Sequence, residues 1–270
     1  MAVVTFYGNG EIETAQTTSM ACIATYLSFE KDYKILLINT KHNDHSLENC
    51  FWNQKEKESA KGDLESGITG LIKALASNKT SPEIITNYTK TIFKDRLELL
   101  TDDNMPREDY EKQREYMKNI VKIASKYYDL VFVDLEGNIE EMHVDDILKE
   151  SNLIVANTSQ RIKMIDNFLK NRRKCSAITD SNLICLIGKY DRFSKYNIKN
   201  LERTRRMPET YGIQYSTLLF EASNEGNLAE YIVKYRNVRE TDLQAPVIEG
   251  ITTVSTRIIE KLKELQMQVV

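Results

Sequence analysis

The chain has 270 residues, of which 41% are hydrophobic and 29% are charged. This length and apolar content suffice for a sizeable core, so we expect one α/β domain over residues 1–270. The 37 basic and 40 acidic side chains nearly balance, which excludes a global attraction to nucleic acid and leaves only a local patch for such binding. With 10 glycines and 4 prolines, collagen-like repeats and long flexible linkers are excluded as well.

Cysteine usage and hydropathy predict a soluble, cytoplasmic protein. The cysteines form no CxxC pair, a pattern typical of buried free thiols in a reducing compartment. No apolar run approaches the roughly 20 residues that a membrane span needs. The N-terminus also lacks the basic and then apolar pattern of a secretory signal. The cysteines are Cys22, Cys50, Cys175 and Cys185.

Short apolar runs alternate with helical patterns along the chain. Helical patterns cover about 17–30 and 106–126, and the polar region from 42 to 89 predicts peripheral helices. Apolar runs that no polar residue interrupts indicate strands buried on both faces. The predicted fold is therefore α/β, with a doubly wound, mainly parallel, Rossmann-like sheet flanked by helices. The predicted strands are 2–6, 34–38, 96–100, 129–134, 153–156 and 183–187.

The first predicted strand ends in a loop at the place where an open parallel sheet binds its ligand. From Gly8 to Thr18 the sequence reads Gly-Asn-Gly-Glu-Ile-Glu-Thr-Ala-Gln-Thr-Thr and continues into a helix. Backbone N–H groups at a helix start cradle phosphate oxygens, so this context predicts a phosphate-binding loop. An ordinary turn, with Thr14 or Thr17 as a plain helix cap, is the alternative.

These segments together resemble the ParA/MinD family of P-loop ATPases, the SIMIBI class with a deviant Walker-A loop. The family's loop runs Gly-Lys-Gly-Gly-Val-Gly-Lys-Thr-Thr and then enters a helix. Without gaps, Gly10 matches its first glycine, and Thr17 and Thr18 match its threonine pair. The resemblance continues through the segments 34–38, 97–100, 128–137, 211–213 and 221–226, the last two matching the family's closing strand and the helix after it.

The resemblance implies a site for ATP and Mg²⁺, provided that the loop is still functional. It places Thr17 and Asp134 at the metal, with Asp134 as the catalytic carboxylate if the protein is active. The alternative for Asp134 is a helix cap or a solvated residue at a strand end. The residues that the resemblance assigns to the nucleotide are Gly8, Gly10, Glu11, Thr14, Gln16, Thr17, Thr18 and Asn39.

The chain departs from the family at its cations. Glu11 replaces the signature lysine, Gln16 replaces the Walker lysine, and the second strand ends without the family's acid pair. Since a charge-assisted hydrogen bond is worth about 1.5–3 kcal/mol, losing both lysines costs on the order of 3–6 kcal/mol of phosphate binding. We therefore expect a degenerate Walker-A loop without efficient ATP hydrolysis. The family's remaining loop glycines fall on Ile12, Glu13 and Ala15.

Three functional hypotheses follow. The first is a pseudo-ATPase that localises or scaffolds a pilus, secretion or partition assembly through a protein partner or a homodimer, as in the Tad-pilus localisation branch of the family. The second is an ATP-dependent dimerisation switch in which Lys41 or Lys189 replaces the missing cation. The third is a partition-type protein that binds DNA non-specifically through a basic cluster. An ordinary solvated surface is the alternative explanation for that cluster, which consists of Arg203, Arg205 and Arg206.

The C-terminal stretch at 252–269 places apolar residues on one helical face. Membrane helices at this position occur in proteins similar to MinD, but here acidic and basic residues alternate on the polar face. We therefore expect this helix to pack onto the domain or a partner chain, without peripheral membrane contact. The apolar residues are Val254, Ile258, Ile259, Leu262 and Leu265.

Overall fold

The computed structural model describes residues 1–9, 13–59, 67–77, 81–101 and 106–267. Its strands form one sheet in the order β3-β4-β2-β5-β1-β6-β7-β8. All neighbouring pairs are parallel except β3 and β4. The strands are Ala2–Tyr7 (β1), Ile35–Asn39 (β2), Lys90–Phe93 (β3), Leu97–Leu100 (β4), Leu130–Leu135 (β5), Leu153–Thr158 (β6), Leu183–Tyr190 (β7) and Thr210–Gln214 (β8).

Helices lie on both faces of this sheet, and 3₁₀ turns at Pro82–Asn87 and Arg172–Lys174 precede β3 and β7. The described helices are Gln16–Glu30 (α1), Ser46–Asn49 (α2), Gln54–Ser59 (α3), Gly67–Ala76 (α4), Arg107–Ala124 (α5), Met142–Glu150 (α6), Ile162–Asn171 (α7), Ile198–Arg205 (α8), Thr217–Glu225 (α9), Leu228–Tyr235 (α10) and Ala245–Met267 (α11).

Each central strand contributes side chains to two cores, one on each face of the sheet. In β1, Val4 and Phe6 belong to the core that α1, α10 and α11 cover. Val3 and Tyr7, which alternate with them, belong to the core under α5 and α6. Burial on both faces is the reason that the strands are continuous apolar runs rather than alternating ones. The predicted doubly wound α/β fold is confirmed.

The sheet also contains a strand that the sequence did not predict. β3 pairs antiparallel with β4 through a turn in which Asp95 has a positive φ of 61°. Its residues are half-buried or exposed, because it lies at the edge of the sheet. An edge strand lacks the uninterrupted apolar run used to find the others, so that criterion misses it.

The C-terminal helix packs onto the sheet edge, as expected, although it begins at Ala245 rather than near 252. Val254 and Ile258 are fully buried in the core shared with α1. A Cβ added at Gly250 would lie 2.5 Å from the carbonyl oxygen of Gly212, so helix and β8 backbones meet closely there. Among the described residues, no helix combines the length and the apolar composition needed to cross a bilayer.

A cluster of charged side chains fastens α11 beside β8. Glu209, just before β8, accepts hydrogen bonds from Arg257 and, at 2.7 Å, from Lys261. Burial alone would raise the pKa of Glu209, but the hydrogen bonds from Arg257 and Lys261 outweigh it and lower the pKa to about 2. The ionised carboxylate thus stabilises the contact between helix and sheet.

We predict that Glu209→Gln lowers the free energy of unfolding at pH 7 by about 1–2 kcal/mol, since solvent partly screens the pair. The folded-state pKa lies below the ordinary glutamate pKa of 4.5, so this contribution is complete above pH 4.5 and is lost as the pH falls towards 2. Urea unfolding at several pH values measures both effects. The control, Glu260→Gln, removes a more exposed carboxylate 3.6 Å from Arg257 and should change stability far less. A gap between wild type and Glu209→Gln that persists at pH 2 would contradict the assignment.

Candidate functional site

A cleft of about 430 Å³ opens at the carboxyl ends of β1, β2 and β5. The strand register brings these ends together, since Asp134 pairs with Phe6 of β1 on one side and with Asn39 of β2 on the other. Crevices of this kind are where doubly wound sheets bind ligands. We call it the loop cleft, and it is lined by Gly8, 13–18, Lys41, Asp44, Ser46, Leu135, Glu136, Lys189, Phe220, Ser223 and Asn224.

The loop before α1 has a backbone that suits glycine but carries larger residues. Glu13 and Ala15 have φ values of 71° and 54°, in the left-handed region. For residues with a Cβ this conformation costs roughly 1–2 kcal/mol. Both positions align with glycines of the Walker-A pattern, whereas a third, Ile12, lies outside the described residues. At these two described positions the loop therefore has a backbone conformation that glycine adopts without strain.

Helix α1 begins without a conventional cap. Its N-cap is the left-handed Ala15, and its first residue, Gln16, is buried. The alternative that Thr14 or Thr17 caps the helix is wrong, because Ala15 is the N-cap residue and no side chain makes a cap hydrogen bond; the hydroxyl of Thr17 instead donates to Asp134 at 2.6 Å. The start of α1 is thus fixed by the polar contacts of its side chains rather than by a cap.

Close packing against β7 also fixes the loop. A Cβ added at Gly188 would lie 2.2 Å from the carbonyl oxygen of Thr14 and 2.7 Å from the Cβ of Ala15. Only glycine leaves room for the loop backbone at this distance. Thr14, one of the predicted nucleotide contacts, is consequently buried at 3% exposure.

Gln16, which stands where the family has its Walker lysine, points into the protein. Its Nε2 donates to the carbonyl oxygens of Phe6 at 3.0 Å and Leu135 at 3.1 Å, and to Oδ1 of Asp134 at 2.5 Å. The N–H groups of the amide are thus occupied by oxygen atoms at the ends of β1 and β5. The side chain therefore ties α1 to β1 and β5.

Asp134 is fully buried and holds a lysine as well as the glutamine. Its Oδ2 lies 3.0 Å from Nζ of Lys41 and accepts from the hydroxyl of Thr17. Lys41 Nζ also donates to Thr17 Oγ1 at 2.5 Å. The alternative that Asp134 is a solvated residue or a helix cap is wrong, because its side chain is fully buried and its oxygens are bound to Lys41, Gln16 and Thr17.

The segment after β2 brings Lys41 to this position. Asn39 accepts from the backbone N–H of Lys41 at 3.0 Å and donates to the carbonyl oxygen of Asp44 at 2.7 Å. The hydroxyl of Thr40 donates to the carbonyl oxygen of Asp134 and accepts from the N–H of Glu136. Asn39, a predicted nucleotide contact, thus shapes the turn that carries Lys41.

The charges in the loop cleft are mixed. Burial by itself would lower the pKa of Lys41, but the Asp134 carboxylate and the nearby Asp44 raise the pKa above its ordinary value, so the ammonium stays charged. Glu13 is paired with Arg161 at 2.8 Å. Lys189 is exposed at the cleft and has a φ of 52°. Among the described residues, the side chains that line the cleft therefore create no concentrated positive field for a triphosphate.

The predicted residues divide into three groups. Gly8, Gln16, Thr17 and Thr18 line the loop cleft, whereas Gly10 and Glu11 lie outside the described residues. The basic cluster lies elsewhere, on α8 and just after it. There, Arg205 forms an ion pair with Asp166 at 3.4 Å, and Arg203 donates to Asn200 at 3.3 Å.

The sequence did not predict the ion pair between Lys41 and Asp134. It also did not predict the close packing of Gly188 against the loop before α1. A signal for Lys41 exists, because it follows β2 by two residues and β2 is a parallel neighbour of β5, whose end carries Asp134. For Gly188 the packing against Thr14 depends on the position of β7 relative to the loop. That position follows only from the tertiary structure.

Solved structures of ATPases share this fold at low sequence identity. A ParA family ATPase from Chlorobium tepidum TLS has a TM-score of 0.72 at 13% identity, over 94% of this chain and 98% of that one. The septum site-determining protein MinD from Pyrococcus horikoshii OT3, complexed with Mg-ADP, has a TM-score of 0.66 at 12% identity over 95% of each chain. A chain of the MinC:MinD cell division protein complex from Aquifex aeolicus has 0.66 at 15% identity over 96% of each.

The sequence matches no family model and no curated protein. At identities of 12% to 15%, the structural similarities establish the ParA/MinD-type fold of this chain. The Pyrococcus horikoshii MinD structure holds Mg-ADP, and the fit of such a metal can be tested against the residues present in this chain. Magnesium prefers oxygen ligands at about 2.0–2.1 Å, but the oxygens of Thr17 and Asp134 both contact Lys41 Nζ. The residues as they stand do not fit the metal.

The strained loop predicts that Ala15→Gly increases stability. Glycine removes the cost of a left-handed Cβ residue but loses more backbone entropy, so we expect a net gain of about 0.5–1 kcal/mol. Chemical denaturation measures it. The matched control is Ala229→Gly in α10, where helical backbone and partial burial predict a loss of about 1 kcal/mol. Equal losses in the two variants would show that position 15 has no strain to release.

Proposed function

We propose that this protein is a pseudo-ATPase with the ParA/MinD-type fold that localises or scaffolds another assembly. The observation that carries the proposal is the engagement of Gln16, which borders the loop cleft but whose amide nitrogen is bound to the ends of β1 and β5. Phosphoryl transfer depends on positioned cations that stabilise charge on the phosphate. At the position of the Walker lysine, this chain supplies a neutral amide that faces the protein.

The acidic residues of the cleft support the same proposal. Glu13, Asp44 and Glu136 line it together with Lys41 and Lys189. Lys41 is engaged with Asp134 and lies 3.7 Å from Asp44, while Glu13 pairs with Arg161, so the cations near the cleft are already held by carboxylates. A triphosphate entering the cleft would therefore meet carboxylates where its oxygens need donors.

A scaffold needs a surface for its partner, and an apolar one lies beside the cleft. Tyr215, Leu218 and Phe220 are 50%, 44% and 50% exposed around the start of α9. Phe220 also lines the loop cleft, so the two surfaces are continuous. The MinC:MinD complex shows a protein of this fold in a complex with a partner protein. We infer that a protein partner or a second copy of this chain binds here, in a pilus, secretion or partition assembly.

Calorimetry with ATP and Mg²⁺ tests the loss of nucleotide function. We expect wild type to bind no tighter than about 1 mM. The double variant Glu11→Lys and Gln16→Lys should bind at least about tenfold tighter, because each restored charge-assisted hydrogen bond contributes about 1.5–3 kcal/mol. The charge-matched control is Gln54→Lys with Glu56→Lys on α3, a helix apart from the cleft lining. It should leave ATP binding at the wild-type level.

The outcomes separate the candidate functions. Micromolar binding of ATP by wild type, or brisk turnover, would contradict the pseudo-ATPase proposal and favour a switch that uses the exposed Lys189. A double variant as weak as wild type would contradict the gap-free alignment of the loop. Binding to DNA with a steep loss on added salt would instead favour the partition-type function.

A further inference from the structure

We propose that the ammonium of Lys41 occupies a latent magnesium site, so that the chain itself supplies the cation of the loop cleft. The inference deepens the proposed function and rests on it, because a built-in cation keeps the site in one state without nucleotide. It adds a specific metal site, made of Thr17, Asp134 and Asp44, that becomes available only when Lys41 is removed.

The oxygen atoms around Lys41 Nζ carry the proposal. Thr17 Oγ1 lies at 2.5 Å, Asp134 Oδ2 at 3.0 Å and Asp44 Oδ2 at 3.7 Å. One hydroxyl and two carboxylates are the hard oxygen ligands that magnesium takes in proteins, usually with water completing the shell. The loop cleft provides access for that water, because Thr17, Lys41 and Asp44 all line it.

Charge shows why some cation has to be present. The side chain of Asp134 is fully buried, whereas that of Lys41 is 17% exposed. A buried carboxylate without a counter-charge is strongly unfavourable. Gln16 and Thr17 donate hydrogen bonds to Asp134, but both are neutral. Lys41 is thus the cation that neutralises Asp134 among the described residues.

The position of Lys41 is built into the fold. Its backbone N–H is held by Asn39, and the neighbouring Thr40 bridges β2 to the end of β5 through two hydrogen bonds. A tethered cation of this kind needs no binding equilibrium, unlike a free metal ion. The site therefore stays neutralised whatever the magnesium or nucleotide concentration, and the partner surface beside it is presented in one state.

Thermal unfolding of the full chain with magnesium alone, without nucleotide, tests the inference. In EDTA, Lys41→Ala should lower the Tm by on the order of 10 °C, because Asp134 loses its counter-charge. About 10 mM Mg²⁺ should then raise the Tm of this variant by about 3–5 °C, as expected for binding to the native state near millimolar affinity. Wild type should shift by less than about 1 °C, since its own ammonium blocks the site.

Two further variants provide the controls. Lys41→Ala with Asp134→Asn removes both charges, so it should show no magnesium response. Lys90→Ala removes the lysine 2.7 Å from the buried Glu48, a pair apart from the cleft, and magnesium should not restore its lost stability. If Lys41→Ala does not fold, Lys41→Gln retains a hydrogen-bond donor and should show the same magnesium response.

A folded variant at position 41 without a magnesium response would overturn the inference, as would an equal response in wild type or in the double variant. These measurements contain no nucleotide. ATP binding by wild type would therefore contradict the pseudo-ATPase proposal. The latent magnesium site would still be tested separately, by the response of the position 41 variants to magnesium.

Discussion

The arrangement at the carboxyl ends of the central strands depends on the buried carboxylate of Asp134. A charge in this position must be neutralised and hydrogen-bonded, because the low-dielectric interior offers it no water. Lys41, Gln16 and Thr17 meet that requirement from two different elements, the turn after β2 and the start of α1. The same contacts that satisfy the carboxylate therefore join β2 and β5 to the first helix, and Gln16 adds β1 through the carbonyl oxygen of Phe6.

The sequence predicted the central part of the fold because the physical signal there is local. Strands buried on both faces must be continuous apolar runs, and 129–134 or 183–187 can be recognised without knowing their neighbours. The edge strand β3 was missed because half of its environment is solvent. The apolar pattern likewise located the C-terminal helical stretch from 252 onwards, whereas α11 begins at Ala245. The first turns pack through Gly250 against the backbone of β8, and such a contact leaves no mark in an apolar pattern.

The candidate site was predictable in its position but not in its contacts. Gln16 was identified as a missing cation, but the sequence does not show that its amide turns towards Phe6 and Leu135. Likewise, Lys41 was considered only as a possible phosphate-binding cation. Its engagement with Asp134 depends on the register of β2 against β5 and on the turn that Asn39 stabilises. Such contacts are tertiary, so residue spacing along the chain does not specify them.

The loop departs from the Walker-A pattern by lacking both its glycines and its lysine, and one physical explanation covers both departures. A glycine-rich loop lets phosphate oxygens approach backbone N–H groups closely, whereas Glu13 and Ala15 keep the left-handed conformation at an energetic cost. In the proposed pseudo-ATPase, a strained loop beside a carboxylate with its own lysine would keep the geometry of the sheet end without the phosphate chemistry. If binding a partner requires that geometry and not the nucleotide, selection acts on Gly188, Asp134 and Lys41 rather than on the phosphate-binding residues.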